Sequence, residues 1–148
     1  MKRVFADTFY WIALINKSDS WYQRVKSYSV NLENIEIITT EEVLTETINF
    51  FASFPAPMRA AVYQLVVQII QDHNIQVIPQ THESFIAGLE LFQQRFDKGY
   101  SLTDCISMIT MKNLNIIDML TPEMLNVVTK LYIFKYSSII KGKNVNIS

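Results

Sequence analysis

The sequence has little glycine and a single cysteine, and both shortages exclude a class of site. The 3 glycines among 148 residues form neither a G-x-G-x-x-G nor a Walker motif, which excludes a glycine loop that cradles phosphates. Cys105, the single cysteine, has no partner for an internal disulfide, so we expect a reducing, cytoplasmic location. No apolar run approaches the length of a membrane span, and we expect no membrane partner.

The composition is that of one compact domain. Hydrophobic residues make up 49% of the chain and charged residues 18%, which excludes a disordered chain. A chain of 148 residues is also long enough to bury a sizeable core. We therefore predict a single domain over residues 1–148, with no linker inside it.

The charges are unevenly distributed, although the net charge is only −1. Residues 130–148 contain four lysines and no acid, which leaves 9 basic and 14 acidic residues, a net charge of −5, in the remainder. A body with this charge repels a polyanion unless its acids are hidden or neutralised. A bound divalent cation is one means of neutralising them.

Short apolar runs that resemble strands alternate with segments that have helical spacing or caps. The predicted strands cover residues 2–6, 35–39, 75–78 and 115–120. The predicted helices cover residues 8–16, 19–28, a segment that begins after Thr39 or Thr40, 59–71, 81–95 and 101–112. This alternation favours a parallel sheet with both faces covered. The predicted fold class is therefore α/β, with three α/β/α layers around a central, mostly parallel sheet.

The helix predicted at residues 101–112 contains the first candidate site residue. Ser101 is a good N-cap, and Asp104 completes a capping box in the first turn. An acid in this turn also lies at the positive end of the helix dipole. Asp104 thus has a structural role available, and a functional role depends on which other acids lie near it.

A second candidate, Glu46, lies in the helix after the second strand. Thr39 and Glu42 have the spacing of another capping box, which gives Glu42 a structural role. Glu46 lies one turn deeper, beside Val43 and Phe50 at helical spacing. Burial of its charge among apolar neighbours is unfavourable unless a positive group is near.

Four acids are placed where a parallel sheet binds its ligands, beyond the carboxyl ends of the strands. Asp7 ends the first strand and Glu123 follows the fourth. Glu46 and Asp104 lie on helices next to strands in the chain. Carboxylates gathered at one edge raise one another's pKa and repel without a cation. Oxygen ligands of this kind favour Mg²⁺ or Mn²⁺ over zinc.

Three motifs occur in a characteristic order. The first is VFADT at residues 4–8, followed by an apolar helix; the second is TT at 39–40 with VLTET at 43–47; the third is DK at 97–98 with SLTDCIS at 101–107. In order, spacing and context these motifs resemble a PIN domain, and most of all the VapC-type toxin ribonucleases of bacterial toxin–antitoxin modules. The resemblance covers roughly residues 3–121.

The resemblance implies a metal-dependent endoribonuclease that hydrolyses RNA phosphodiester bonds. Asp7, Glu46 and Asp104 would be the catalytic, metal-binding acids, and Thr8 would help to position the site. The metal, Mg²⁺ or Mn²⁺, would lower the pKa of a bound water, so that no side-chain nucleophile is required. The resemblance also implies a homodimer and a cognate antitoxin that binds tightly.

The end of the chain, from about residue 122, departs from this pattern. Relatives place an Asp where the chain has Glu123, followed by a Phe and a Gly-Phe pair that are absent here. Thr121, Pro122 and Glu123 also form a good helix start. Glu123 is therefore either a further metal ligand or a first-turn acid. The alternative to an active enzyme is a catalytically weak or inactive PIN-type module that binds an antitoxin or RNA.

Other residues that could carry chemistry have structural interpretations. A phosphatase-like or receiver-like use of Asp7 is a third interpretation, but neither an Asp-x-Asp motif nor an acidic pair accompanies it. His73 and His82 have no neighbour at metal-ligand spacing and are predicted to be surface residues. Cys105 is predicted to be buried and unreactive, and Trp11 to belong to the core.

Overall fold

The structure, a computed structural model, describes residues 1–30 and 32–121. Its strands are β1 (Lys2–Ala6), β2 (Ile35–Thr40), β3 (Ile75–Ile78) and β4 (Asp118–Leu120). Its helices are α1 (Thr8–Ile15), α2 (Tyr22–Val30), α3 (Glu41–Phe50), α4 (Ala56–Gln71), α5 (His82–Gln94) and α6 (Leu102–Asn113). Within these residues, none of the helices is long and apolar enough to cross a membrane.

The four strands form one sheet in the order β3-β2-β1-β4. Val4 of β1 lies opposite Ile37 of β2 on one side and Asp118 of β4 on the other. Every strand pair is parallel, so the carboxyl ends of the strands share one edge. The predicted three-layer α/β/α class with a parallel sheet is confirmed.

β1 lies in the middle of the core. Its residues 4–6 are fully buried, in one cluster with residues of β2, β4 and α1. A short, uninterrupted apolar run of this kind is typical of a strand that is covered on both faces. Trp11 of α1, which is 2% exposed, belongs to the same cluster, as predicted.

A buried hydroxyl joins β2 to both β1 and α1. The Trp11 Nε1–H donates to Thr39 Oγ1 at 3.2 Å, and Thr39 Oγ1 donates to the Ala6 carbonyl at 2.9 Å. Ala6 is the residue before Asp7. These two bonds therefore hold the end of β1, and the acid that follows it, against β2.

The start of α3 corrects one prediction. Thr40 is the N-cap, and its Oγ1 accepts from the Val43 backbone N–H at 3.1 Å, because the Thr39 hydroxyl is already engaged with β1 and α1. Thr39 and Glu42 thus form no capping box. Glu42 has a different structural role: its Oε1 accepts from the Ser84 hydroxyl of α5 at 2.9 Å.

The boundaries of α2, α4 and β4 also differ from the sequence prediction. α2 covers Tyr22–Val30 rather than residues 19–28. α4 begins at Ala56 rather than at residue 59, since Pro57 lies in the first turn, where a missing N–H costs nothing. β4 begins at Asp118 rather than at residue 115, because Asn115 has a positive φ of 54° and belongs to the turn after α6. The predictions for residues 122–148 lie outside the described residues.

α5 and α6 pack directly on each other. Gly88 is buried on α5, and a Cβ added there would overlap Cγ1 of Ile106 on α6. Leu91 of α5 forms a buried cluster with Cys105 and Met108 of α6. This side of α6 is occupied by α5, whereas Met111, on another side of the helix, belongs to the core cluster that contains β1.

Candidate active site

Asp7 follows β1 directly and is the N-cap of α1. Its Oδ1 accepts from the Thr8 backbone N–H at 2.8 Å, which fixes the carboxylate at the carboxyl edge of the sheet. Burial raises the pKa of Asp7 from 3.8 to about 6. The Thr8 N–H opposes this shift, whereas the charges of Asp104 and Glu46 add to it. Asp7 is therefore easier to protonate than an ordinary aspartate, and its ionised form is unfavourable unless a positive charge is bound.

Asp104 lies in the first turn of α6 and forms the predicted capping box. The Ser101 backbone N–H donates to Asp104 Oδ2 at 2.9 Å, and the Asp104 backbone N–H donates to Ser101 Oγ at 3.0 Å. This confirms the structural role that the sequence suggested. It does not exclude a second role, because the cap engages one of the two carboxylate oxygens and Asp104 also acts electrostatically on Asp7.

Glu46 lies in the middle of α3 and is half-buried. Val43 is buried on the same helix, but Phe50 is 48% exposed, so the apolar surround expected for Glu46 is incomplete. Its charge contributes to the raised pKa of Asp7. Glu46 is thus the third acid, with Asp7 and Asp104, whose charge acts at the end of β1.

The structure places Glu46 and Asp104 close enough to Asp7, at one edge of the sheet, for their charges to raise its pKa. In residues 1–30 and 32–121, however, no group of three His, Cys, Asp or Glu side chains is arranged to hold a metal ion. Mg²⁺ usually keeps several of its waters and binds through one or two carboxylates. The donor set fits such a hydrated cation, since it is all oxygen and carries excess negative charge.

A buried hydroxyl beside the acids also fits a polar ligand. Thr8 Oγ1 is buried and has no hydrogen-bond partner within the described chain, although Thr8 adjoins Asp7. An unsatisfied buried hydroxyl costs about 1–3 kcal/mol, and a bound water or ion beside it is one explanation of such a group. The expectation that Thr8 belongs to the site stays a prediction, with this orphaned atom in its support.

One polar residue near the acids was missed by sequence reasoning. Ser107 is fully buried on α6, and its Oγ also has no hydrogen-bond partner in the part of the chain that the structure describes. The available signal was its spacing, because a residue three positions after Asp104 lies on the same helix face. The motif SLTDCIS contains Ser107, but Asp104 is the residue of that motif that is predicted to bind the metal.

The remaining candidates either lie outside the described residues or are placed as surface or core residues. Glu123 lies outside the described residues, so its role as a ligand stays a prediction. His73 and His82 are exposed, as predicted. Cys105 is buried, and burial, with a smaller contribution from Asp104, raises the pKa of its thiol, which keeps it protonated and unreactive.

A cavity of about 380 Å³ lies beside α3 and α5, next to the acids rather than over them. Its lining residues are Glu42, Gln80, Thr81, His82, Phe85 and Ile106. Glu42 is one helical turn before Glu46. The cavity therefore extends the surface on which a long ligand could lie.

Comparison by sequence finds no matching family model and no matching curated protein. Comparison by structure finds similarity to Mycobacterium tuberculosis VapC20, a sarcin-ricin loop cleaving toxin. The TM-score is 0.69 at 20% sequence identity, and the match covers 78% of this chain and 86% of the other. An identity this low shows the fold alone. The chain therefore has the fold of a VapC-type PIN-domain toxin.

Proposed function

We propose that the chain is a metal-dependent endoribonuclease that hydrolyses RNA phosphodiester bonds and acts as the toxin of a toxin–antitoxin module in the cytoplasm. The observation that carries this proposal is the environment of Asp7, whose pKa is raised to about 6 by burial, Asp104 and Glu46. Perturbed acids at the ligand-binding edge of a parallel sheet are typical of a functional site. The fold similarity to VapC20, a toxin that cleaves the sarcin-ricin loop, supports RNA as the substrate.

In this proposal Asp7, Glu46 and Asp104 are the catalytic acids, and they hold Mg²⁺ or Mn²⁺. Backbone N–H groups already orient Asp7 Oδ1 and Asp104 Oδ2, so little side-chain freedom is lost when a ligand binds. A bound divalent cation supplies Lewis-acid stabilisation of phosphate charge and a water of lowered pKa. Glu123 is proposed as a further ligand on the strength of the family resemblance.

The test is RNA cleavage by the purified chain. We expect a hairpin that contains the sarcin-ricin loop, or total cellular RNA, to be cut with Mg²⁺ or Mn²⁺ and to remain intact with EDTA. Asp7→Asn and Asp104→Asn should each lower the rate by at least about 100-fold, since each removes a charge that holds the metal. Both variants should fold. Asn is as good an N-cap as Asp at position 7, and at position 104 its side-chain oxygen can still accept from the Ser101 backbone N–H.

A matched control is Glu33→Gln, which removes an exposed acid before the amino end of β2, at the opposite edge of the sheet. This variant should cut RNA at the wild-type rate. Cleavage that survives in both Asp7→Asn and Asp104→Asn would exclude the proposed mechanism. Equal loss in Glu33→Gln would show that net charge, rather than the acid site, controls the activity.

The partners proposed are a second copy of the chain and a cognate antitoxin. An apolar stripe on α5 and the turn after it supports a protein partner, because exposed apolar patches mark interaction surfaces. We define the stripe as Phe85, Leu89, Phe92 and Phe96, which are 46%, 46%, 37% and 74% exposed. They recur at helical spacing, so a second copy could bury the same face in a two-fold interface.

Light scattering on a size-exclusion column tests the dimer. We expect the wild-type chain to elute as a dimer, and Leu89→Asp combined with Phe92→Asp to elute as a monomer, since each charge would be buried in the interface. Tyr63→Asp, at a more exposed aromatic position of α4, is the control and should remain dimeric. A monomeric wild-type chain would exclude the homodimer.

A second candidate function is a catalytically weak or inactive module that binds an antitoxin or RNA. The observation that favours it is that no three acids within the described residues are arranged to ligate one ion directly. This module would bind RNA, measured by fluorescence anisotropy, with no turnover at enzyme concentrations in excess of the RNA. Metal-dependent cutting at substoichiometric enzyme would exclude it.

A further inference from the structure

Two buried side-chain hydroxyls, those of Thr8 and Ser107, have no hydrogen-bond partner within residues 1–30 and 32–121. Other fully buried threonine hydroxyls are satisfied. Thr39 bonds Trp11 and the Ala6 carbonyl, and Thr47 donates to a carbonyl of its own helix. Burying a hydroxyl without a partner costs about 1–3 kcal/mol, so each orphan calls for a specific explanation.

Both of these unsatisfied hydroxyl groups belong to residues that lie beside an aspartate of the acid site. Thr8 is the residue after Asp7, and Ser107 lies one turn after Asp104 on α6. At about 100° per residue, Ser107 and Asp104 are about 60° apart around the helix axis, so they share one face. Two independent elements thus present an unsatisfied hydroxyl next to an acid.

The packing of α6 shows which way this face points. Met111, one turn after Ser107, is fully buried in the core cluster that contains residues 4–6 of β1. Ile106, on another side of the helix, meets Gly88 of α5. Ser107 therefore lies on the side of α6 that is turned away from α5, between Met111 in the core cluster and Asp104 in the first turn.

The Ser107 hydroxyl has no hydrogen bond within the described residues, which is unusual for a buried serine in a helix. Such a hydroxyl commonly bonds the carbonyl four residues earlier in its own helix. Thr47 does so, with Oγ1 at 2.8 Å from the Val43 carbonyl oxygen. Ser107 makes no such bond within the described chain. Its hydroxyl is therefore available to a ligand of the neighbouring acids.

We propose that Ser107 is a positioning residue of the acid site, whose hydroxyl, like that of Thr8, bonds a water molecule of the cation held by Asp7 and Asp104. This inference rests on the proposed function and adds a residue to it. A hydroxyl suits this place because it accepts from a metal-bound water, or donates to a carboxylate, without adding charge. Groups that orient the ligands of a metal typically change its affinity by 10–100-fold.

The experiment measures Mn²⁺ affinity by electron paramagnetic resonance, without RNA, for the wild-type chain and three variants. Ser107→Ala removes the hydroxyl and suits a helix, and we expect its Kd for Mn²⁺ to rise about 10-fold or more. Ser107→Thr keeps the hydroxyl and should restore most of the affinity. Thr110→Val removes a half-buried hydroxyl from the same helix, nearly two turns after Asp104, and should bind as the wild-type chain does.

The free energy of unfolding in EDTA separates this role from a structural one. A hydroxyl that is merely unsatisfied predicts that Ser107→Ala is more stable than the wild-type chain and binds Mn²⁺ equally well, and that result would overturn the inference while leaving the proposed function intact. If the wild-type chain itself binds no Mn²⁺, both proposals fail. A rise in Kd for Ser107→Ala alone, reversed by Ser107→Thr, supports the inference.

Discussion

Two opposing effects act on the ionised carboxylate of Asp7. As an N-cap it is stabilised by the Thr8 N–H, which bonds the ionised carboxylate. As a buried group near Asp104 and Glu46 it is destabilised when ionised, and the second effect is larger, since its pKa is raised to about 6. At neutral pH the metal-free protein therefore holds an unfavourable charge at the end of β1.

The pH dependence of stability tests this balance. Because the folded pKa of Asp7, about 6, exceeds its ordinary value of 3.8, the folded state binds more protons between these two pH values, and stability falls as pH rises through them. Asp7→Asn keeps the cap but removes the charge. In EDTA, we expect urea unfolding to show this variant about 1–3 kcal/mol more stable than the wild-type chain at pH 7 and nearly equal to it at pH 4. A variant less stable than the wild-type chain at pH 7 would contradict this account.

Thr39 is the residue that ties the site to the sheet. In Thr39→Val the buried Trp11 N–H and the Ala6 carbonyl lose their shared partner, and an unsatisfied buried group costs about 1–3 kcal/mol. We expect the variant to lose at least this much free energy of unfolding, with tryptophan fluorescence as the probe. Thr39→Ser retains the hydroxyl and serves as the control. If the Val and Ser variants are equally stable, the two hydrogen bonds of Thr39 contribute nothing to the free energy of unfolding.

Sequence reasoning identified the acids better than their surroundings. Asp7 and Asp104 were placed by local signals, a strand end and a capping box, which depend on few neighbours. The hydrogen bonds of Thr39, the exposure of Phe50 and the orphaned hydroxyl of Ser107 depend on how distant elements pack. Periodicity in a single sequence does not encode such contacts, so these features required the structure.

The α5–α6 pair is the element that sets the position of Asp104. Gly88 allows close approach, because a Cβ there would overlap Ile106. Replacing a helical glycine by alanine usually gains about 1 kcal/mol, so a loss at this position would show that packing outweighs backbone entropy. Displacement of α6 would also move Asp104 relative to Asp7.

A double-mutant cycle measures this close approach. We expect Gly88→Ala to lower the free energy of unfolding by about 1–3 kcal/mol and Ile106→Ala to lower it by about 2–4 kcal/mol. The double variant should lose clearly less than the sum, since the shortened side chain makes room for the new methyl. Strict additivity in urea titrations would show that the two positions do not compete for space.

At the scale of elements, the fold could be predicted because its signals are local. Alternating apolar runs and caps gave three of the strand starts and the parallel class. The N-cap of α3 is Thr40, one of the two residues that the sequence allowed, because the Thr39 hydroxyl bonds other elements. β4 was predicted too long because the positive φ of Asn115 is not apparent from an apolar run.

For the whole molecule, the proposed cation site would couple stability to cation binding. In EDTA the charge of Asp7 opposes folding, whereas a cation that binds only the folded state adds about 4 kcal/mol at 1,000 times its Kd. We therefore expect the order of stability to invert: Asp7→Asn melts above the wild-type chain in EDTA and below it in saturating Mn²⁺, by about 2–4 °C per kcal/mol. Differential scanning calorimetry at pH 7 measures both orders. Glu33→Gln, which retains the acid site, should follow the wild-type chain throughout. Equal Mn²⁺ stabilisation of the wild-type chain and Asp7→Asn would locate the cation away from β1, and the acid site would then have no metal to hold.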